Sequence, residues 1–461
     1  MFKSFLVYGM TSGLSKFISL LLIPIYTRVF TPDYVARLDV IQSFIMIMAI
    51  FGVLQLENSI QRYYYSYYNF LRKIMISSTL LTVSFLSVLI LFLIVLFSEK
   101  ISFLLFKNFN NGYLIAIGAI IIPLFNISSF NSIILRYQKK SYLFAITTLL
   151  QILLGALLTI YFVLSLELGI IGVFYGQILA YALTIPIQII SIKNDLTFGF
   201  STRILKKMFQ FAVPQFPARL GSVSNSYISR FFILGILSAH HLGIYSVALK
   251  FASVMQIFLS AFIMTWIPYM YENLKNKKHK DNFKQIFIYT LIFVNSITII
   301  ISLFSKEIFI LFTTEGFYEA QFLLPGLVYA NGLMIIKSVV DIGPMIVKKM
   351  IYSSYIFIVS GIINVLILYF GLIYFDLNGA VYSLVFANLI LVFLNWYCTE
   401  KLYPIGFNFT FFISLSFITL TLIILLTRFS IAFKYRFLIA LLIILMLFLY
   451  MRKNNSFKLI L

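Results

Sequence analysis

Within the stretch Phe209 to Phe232, FQFAVPQFPARLGSVSNSYISRFF, the residues Gln215, Arg219, Ser222, Ser226 and Arg230 follow one another at steps of four, three, four and four. On a helix that advances about 100° per residue they form one stripe, and Arg219 and Arg230 point within about 20° of each other. The chemistry open to such a stripe is anion recognition. A guanidinium fork takes two oxygens of an anion such as a phosphate at once, and the hydroxyls of Ser222 and Ser226 lie between the two forks. Nearly all neighbouring segments are apolar, which places the stripe at membrane depth. There a cation costs roughly 2.5 kcal/mol or more unless it faces a protein interior or a water-filled cavity. The stripe is therefore expected to be the wall of an inward-facing cationic cavity.

A weaker copy of the stripe lies 207 positions earlier, with Tyr8, Ser12, Ser15, Ser19 and Ile23 under Gln215, Arg219, Ser222, Ser226 and Arg230. The same offset lays TPDYVARLDV over SAHHLGIYSV, two short connections between successive helices. Two repeated halves enclosing polar sites are the pattern of secondary transporters and flippases, which alternate access by rocking one half against the other.

The elements that must hold these residues follow from composition. The chain has 461 residues, 62% hydrophobic and 11% charged, with a mean hydropathy of +1.02. It supplies about fourteen apolar stretches of the roughly 20 residues needed to cross a bilayer. The expected fold class is an all-α polytopic membrane protein: two repeated six-helix bundles, residues 1–192 and 209–401, a basic amphipathic linker at 193–208 lying along the membrane surface, and two additional helices in 402–461. The opening MFKSFLVYGMTSGLSKF has no cleavage site and reads as a retained first helix.

A net charge of +21 would suggest nucleic acid in a soluble protein. Here distribution decides. With both termini in the cytoplasm, most of the 35 Lys and Arg fall on cytoplasmic ends and loops, as the positive-inside rule requires. The excess is then a topology signal and a contact for anionic membrane lipids, not for nucleic acid. Cys398 is the lone cysteine, so neither an intrachain disulfide nor a cysteine metal cage is available.

The remaining charges within or beside spans are few. Lys16 lies mid-span beside the first polar stripe, Arg28 near the outer end of the first span, and Lys250 in the eighth; all three suit a cavity. Tyr8, Tyr26 and Tyr227 add aromatic faces and hydroxyls to the same cavity. Asp39, Glu57 and Asp341 are the acids available for coupling to a proton or sodium, with Glu57 and Arg62 alternatively forming an interfacial pair. Lys337 and Asp341, at i and i+4, can neutralise each other. The adjacent His240 and His241 point about 100° apart with no third ligand nearby, which favours a solvated loop over a metal site. No phosphate-binding Gly-x-x-x-x-Gly-Lys-Ser/Thr loop and no His-Glu-x-x-His pattern occur, so the sequence calls for no cofactor and no ATP hydrolysis by this chain.

LLIPIYTRVFTPDY followed by RLDVIQSF, with HHLGIYSVALKF in the second half, resembles the Wzx-type polysaccharide flippases, the O-antigen and capsule repeat-unit transporters. Those belong to one superfamily with the multidrug and toxin extrusion antiporters and the peptidoglycan precursor flippases. The family's Tyr-Gly in the first-half loop is Tyr34-Val35 here, while Gly243 is kept in the second. The resemblance implies a substrate of undecaprenyl-diphosphate-linked oligosaccharide, flipped outward across the cytoplasmic membrane, with a polysaccharide polymerase and chain-length regulator as partners. It fits Lys16, Arg28, Arg219 and Arg230 to the cavity. A drug antiporter is the alternative, yet cationic drugs need acidic cavities. A lipid-linked polysaccharide polymerase or ligase typically has a large external loop, and the external loops here are short.

Overall fold

The computed structural model describes residues 2–274, 276, 278–347, 349, 351–428 and 432–453. The described residues form helices and connections with no strand, since in lipid a helix satisfies its own backbone. Among the described residues, eleven helices are long and apolar enough to cross a bilayer. One of them, Ile351–Leu402, has 52 residues and would reach about 78 Å if straight, against a hydrocarbon core of roughly 30 Å. It is two helices. Asp376 takes φ 49° and ψ −137°, and the backbones of Gly371 and Gly379 meet where the chain doubles back. Dividing it there, and adding Phe216–Ile236 and Phe433–Lys453, brings eleven to the fourteen expected from hydropathy.

Two compact units partition the chain, Met1–Gly243 and Ile244–Leu461. In the first, the leading apolar stretch breaks at Leu22 into Phe2–Leu21 and Ile23–Val29, because Pro24 in the first turn of the second piece has no N–H to continue the ladder. Pro32 then opens Pro32–Val53, a position where its missing donor is harmless. Leu54 and Gln55 are both left-handed, with φ 45° and 61°, and lead into Leu56–Tyr63. Neutral amides join the scaffold helices. Asn126 donates to the Ala49 carbonyl (2.9 Å) and Ser87 Oγ (2.8 Å). Ser128 donates to Gln151 and accepts from Gln188, at 3.0 and 3.1 Å. Such groups hold helices together in lipid without placing a charge there.

The linker expected at 193–208 continues as a helix to Ala212. Helix Thr202–Ala212 is amphipathic, with Ile204, Leu205, Met208 and Ala212 buried and Arg203, Lys206 and Lys207 exposed. Its apolar face is occupied by protein: Ile204, Met208 and Ala212 share a core with Leu56, Ile60, Met75 and Phe130. Ser59 Oγ donates to the Met208 carbonyl at 2.8 Å. Asp195, at the start of the link, accepts from Tyr64 (3.0 Å) and Gln138 (2.9 Å) and lies 3.9 Å from Arg72. Burial, and after it the facing Asp195 carboxylate, push the Tyr64 hydroxyl up, so it stays a donor.

The second unit packs around Leu324–Val340, where Leu327, Val328, Tyr329, Leu333 and Ile336 are fully buried. Asn388 donates to the Ala330 carbonyl (2.8 Å) and Trp266 to that of Ser338 (3.0 Å). The last helix, Phe433–Lys453, is tied in by Arg436, which meets Glu307 at 2.8 Å and the Leu303 carbonyl at 2.9 Å.

The helix breaks repeat along the chain at the 207-residue offset. Val29 and Ile236 end helices, Pro32 and Ala239 begin the next, and each pair is 207 positions apart. Phe97 and Phe304, again 207 apart, interrupt equivalent helices with the same φ of −107°.

A side chain at Gly379 would collide with the Gly371 backbone, whereas one at Gly235 meets open space. Gly379→Val is expected to destabilise the detergent-purified protein by about 1–3 kcal/mol, the usual cost of overpacking. Gly235→Ala should leave the thermal midpoint unchanged in the same fluorescence melt.

Candidate functional site

Helix Phe216–Ile236 carries the polar stripe, and its ends are set by local chemistry. Pro214 and Pro217 bracket its start, through a 3-10 turn at Val213–Gln215 and the first helical turn. At its other end Ser238 caps the following helix, Ala239–Ala252, accepting from the His241 N–H at 3.3 Å.

The stripe is anchored at two points on the first unit's own helices. At its beginning Gln215 Oε1 accepts from Asn58 (3.1 Å), which also donates to Gln55 Oε1 (2.7 Å) beside the left-handed break. Gln215 Nε2 donates to the Phe211 carbonyl at 2.9 Å. Near its far end Arg230 Nε meets Asp39 Oδ2 at 3.2 Å, with the two side chains 12% and 13% exposed. Arg230 Nη1 donates to the Ser226 carbonyl, and the guanidinium carbon stands 5.1 Å from the Tyr227 ring centre. Arg230 is therefore already neutralised by a carboxylate 191 positions away in sequence. Arg219, eleven residues earlier on the same face, is exposed and makes no ion pair among the described residues.

The hydroxyls of the stripe are partly spent on the helix itself. Ser226 Oγ donates to the Ser222 carbonyl at 3.0 Å. In the first helix Ser15 and Ser19 likewise donate to Thr11 and Ser15, at 2.7 and 3.0 Å. Lys16 is half-buried on that helix and Arg28 is exposed on Ile23–Val29. The Tyr26 ring stacks on Phe30 at 6.0 Å, which covers one of its faces. Tyr8 lies on Phe2–Leu21, and its side chain is outside the described residues.

Several other expected residues fall elsewhere. Glu57 and Arg62 form no pair among the described residues; five positions on a helix turn them about 140° apart, so the expected interfacial bridge is corrected. Lys337 and Asp341, in the second unit, do form an ion pair, and Ser353 donates to the other Asp341 oxygen at 2.8 Å. Lys250 is half-buried in the same unit, with its carbonyl accepting from Ser253 at 2.6 Å. Among the described residues no three His, Cys, Asp or Glu could hold a metal. His240 lies 4.0 Å from Asp33 and His241 meets Ser238 at 2.7 Å. The two repeated connections thus touch, and Gly243 has no room for a side chain against the Pro32 carbonyl.

Asn58, Gln55 and the pairing of Asp39 with Arg230 are the features that the sequence did not reveal. No spacing rule links positions so far apart, and Asn58 sits in a short polar run, LENSIQR, that reads as a span end.

The fold and the anion-competent stripe can be set against known proteins. The model of the family described as polysaccharide biosynthesis protein matches residues 1–274, more than half of the chain. The chain belongs to that family. The resemblance to Wzx-type flippases accordingly holds. No curated protein matches the chain. A solved lipid II flippase, MurJ, in an inward closed conformation, superposes with a TM-score of 0.75 at 17% identity, covering 99% of this chain and 100% of that one. An inward-facing multidrug resistance MATE family transporter of the MOP superfamily gives 0.63 at 14% identity, covering 85% and 95%. A mutant of the Vibrio cholerae MATE transporter VcmN gives 0.61 at 15%, covering 87% and 96%. These likenesses establish a shared fold. The chain is a multi-pass membrane protein of a polysaccharide biosynthesis family built on the transporter fold of MurJ and the MATE proteins.

With Cys398→Ser as background, Arg219→Cys is expected to react readily with a water-soluble maleimide, and Arg230→Cys several-fold more slowly. Equal rates, read by mass shift, would mean that the two arginines do not differ in access as their exposure indicates.

Proposed function

We propose that this protein is a flippase, not an enzyme, that moves undecaprenyl-diphosphate-linked oligosaccharide repeat units from the cytoplasmic to the outer leaflet of the bacterial cytoplasmic membrane, for O-antigen or capsule assembly. The reading rests above all on the uncompensated Arg219 in a polar stripe of a membrane helix, in a chain of the polysaccharide biosynthesis family. A diphosphate must leave water while its lipid tail stays in the bilayer, so the path needs a cation that offsets lost hydration. Lys16, Arg28 and Lys250 add positive charge, and Gln215, Ser222 and Ser226 suit sugar hydroxyls. The access alternates from one side of the membrane to the other, both termini are cytoplasmic, and a polymerase and chain-length regulator take up the product.

Direction comes from the membrane potential. An interior-negative potential drives anions outward by about 2.3 kcal/mol per charge per 100 mV, so a diphosphate with roughly two charges would gain about 4 to 5 kcal/mol across the full field. Drug antiport is the second reading, because the MATE proteins share this fold. Its cationic substrates need a bare carboxylate at the site, and Asp39, the acid that meets the stripe, faces a cation here.

In vesicles with an imposed potential, Arg219→Ala and Arg230→Ala are each expected to lose most flipping of the lipid-linked oligosaccharide. Arg→Lys should recover part of it, since the charge stays while the fork is lost. Transport indifferent to the potential but dependent on a proton or sodium gradient would instead identify an antiporter, as would resistance to cationic dyes on overexpression with surface glycan unchanged by deletion.

A further inference from the structure

The Asp39–Arg230 pair lies on the same helical face as Arg219 but is chemically different from it. Arg230 uses Nε on Asp39 and Nη1 on the Ser226 carbonyl, while Nη2 makes no hydrogen bond among the described residues. A carboxylate and a phosphate oxygen are equivalent guests for a guanidinium edge. We infer that Asp39 is a built-in counter-anion that occupies Arg230 when no substrate is present and is displaced by the diphosphate of the lipid-linked substrate. The identity of that substrate rests on the function proposed above.

Three observations make exchange workable. Tyr227, three residues before Arg230 on the same helix, lies against the guanidinium and moves with it, so the arginine keeps its orientation while its anion changes. The pair is mostly buried, so an incoming anion meets an arginine already stripped of water. And Gln215 holds the beginning of the helix to Asn58, about 22 Å along the axis from Arg230 at 1.5 Å per residue. That leaves one end of Phe216–Ile236 pinned while the other end, freed from Asp39 on Pro32–Val53, can swing. Loading and helix movement are then one event. Taking the arginine away from a carboxylate in a membrane span is unfavourable, and this subtracts from the net affinity for the diphosphate.

The test uses the full chain in lipid nanodiscs with undecaprenyl diphosphate as the probe, and flipping of the lipid-linked oligosaccharide in vesicles. Asp39→Asn removes the competing charge and should bind the probe about tenfold tighter, the equivalent of ~1.4 kcal/mol, while flipping more slowly because release is impaired. Asp39→Glu keeps the carboxylate and should behave nearly as the parent. Asp33→Asn makes the same charge change on the same helix, away from Arg230, and should shift affinity less than twofold. Should Asp39→Asn bind the probe no more tightly than the parent, or should Asp33→Asn tighten it equally, the exchange is refuted while the flippase reading stands. If neither the parent nor Asp39→Asn binds undecaprenyl diphosphate, both the exchange and the flippase reading fall. A parent that binds the probe, with tighter binding and slower flipping in Asp39→Asn alone, supports both.

Discussion

A guanidinium and a carboxylate meet between two apolar helices, and neither could stay there alone at tolerable cost. The desolvation that each suffers is offset in large part by the other, which makes the contact between Arg230 and Asp39 selective for one register of the two helices. One turn of slip would move Arg230 by about 5.4 Å and leave both charges in apolar surroundings. The second contact, Gln215 with Asn58, then has its place determined, since the helix between them is rigid. Arg219 falls between these anchors and is held in position by contacts that are not its own.

The rest of the first unit is built to leave that charge alone. Its scaffold helices are joined through Asn126, Ser128, Gln151 and Gln188, all neutral, so nothing in the scaffold competes for an anion. The basic face of Thr202–Ala212 is turned outward while its apolar face completes the core beneath Leu56 and Ile60. Among the described residues, charge within the spans of this unit is sparse, with Lys16 on the first helix, Asp39 on Pro32–Val53 and the two arginines of the stripe. A strong field from elsewhere in the unit would blur the difference between a neutralised Arg230 and an uncompensated Arg219.

Much of this was legible in the sequence because membrane helices obey a few blunt constraints. Span number follows from bilayer thickness, and the 207-residue offset reappears in the ends of helices at Val29 and Ile236 and in the breaks at Phe97 and Phe304. Arg219 and Arg230 share a face because helical geometry permits nothing else. What sequence could not supply was the pairing of residues distant in the chain: Asp39 was an isolated acid until Arg230 was placed beside it. The Glu57–Arg62 bridge failed for the opposite reason, a nearness in sequence that the helix turns into separation. Thr202–Ala212 read correctly as amphipathic, but the spacing of its apolar residues says only that one face is buried, not whether lipid or protein covers it.

The electrostatic balance of the stripe has a consequence for any anion that crosses. Two bare arginines about 16 Å apart along one face would stabilise a bound diphosphate strongly at the place where it must not remain. Transport requires a shallow well, since a potential supplying about 2.3 kcal/mol per charge per 100 mV cannot extract an ion from a deep one. In the proposed flippase, pre-neutralising one of the two cations would lower the well without removing the charge from the path, the arginine becoming available only as its own carboxylate gives way. A neutral residue at position 230 would remove the site, and an unopposed arginine would make it a trap. The Asp39–Arg230 pair lies between those limits, and under the proposed exchange its position on the helix face carrying Arg219 would tie the depth of the well to the movement of the helix that forms it.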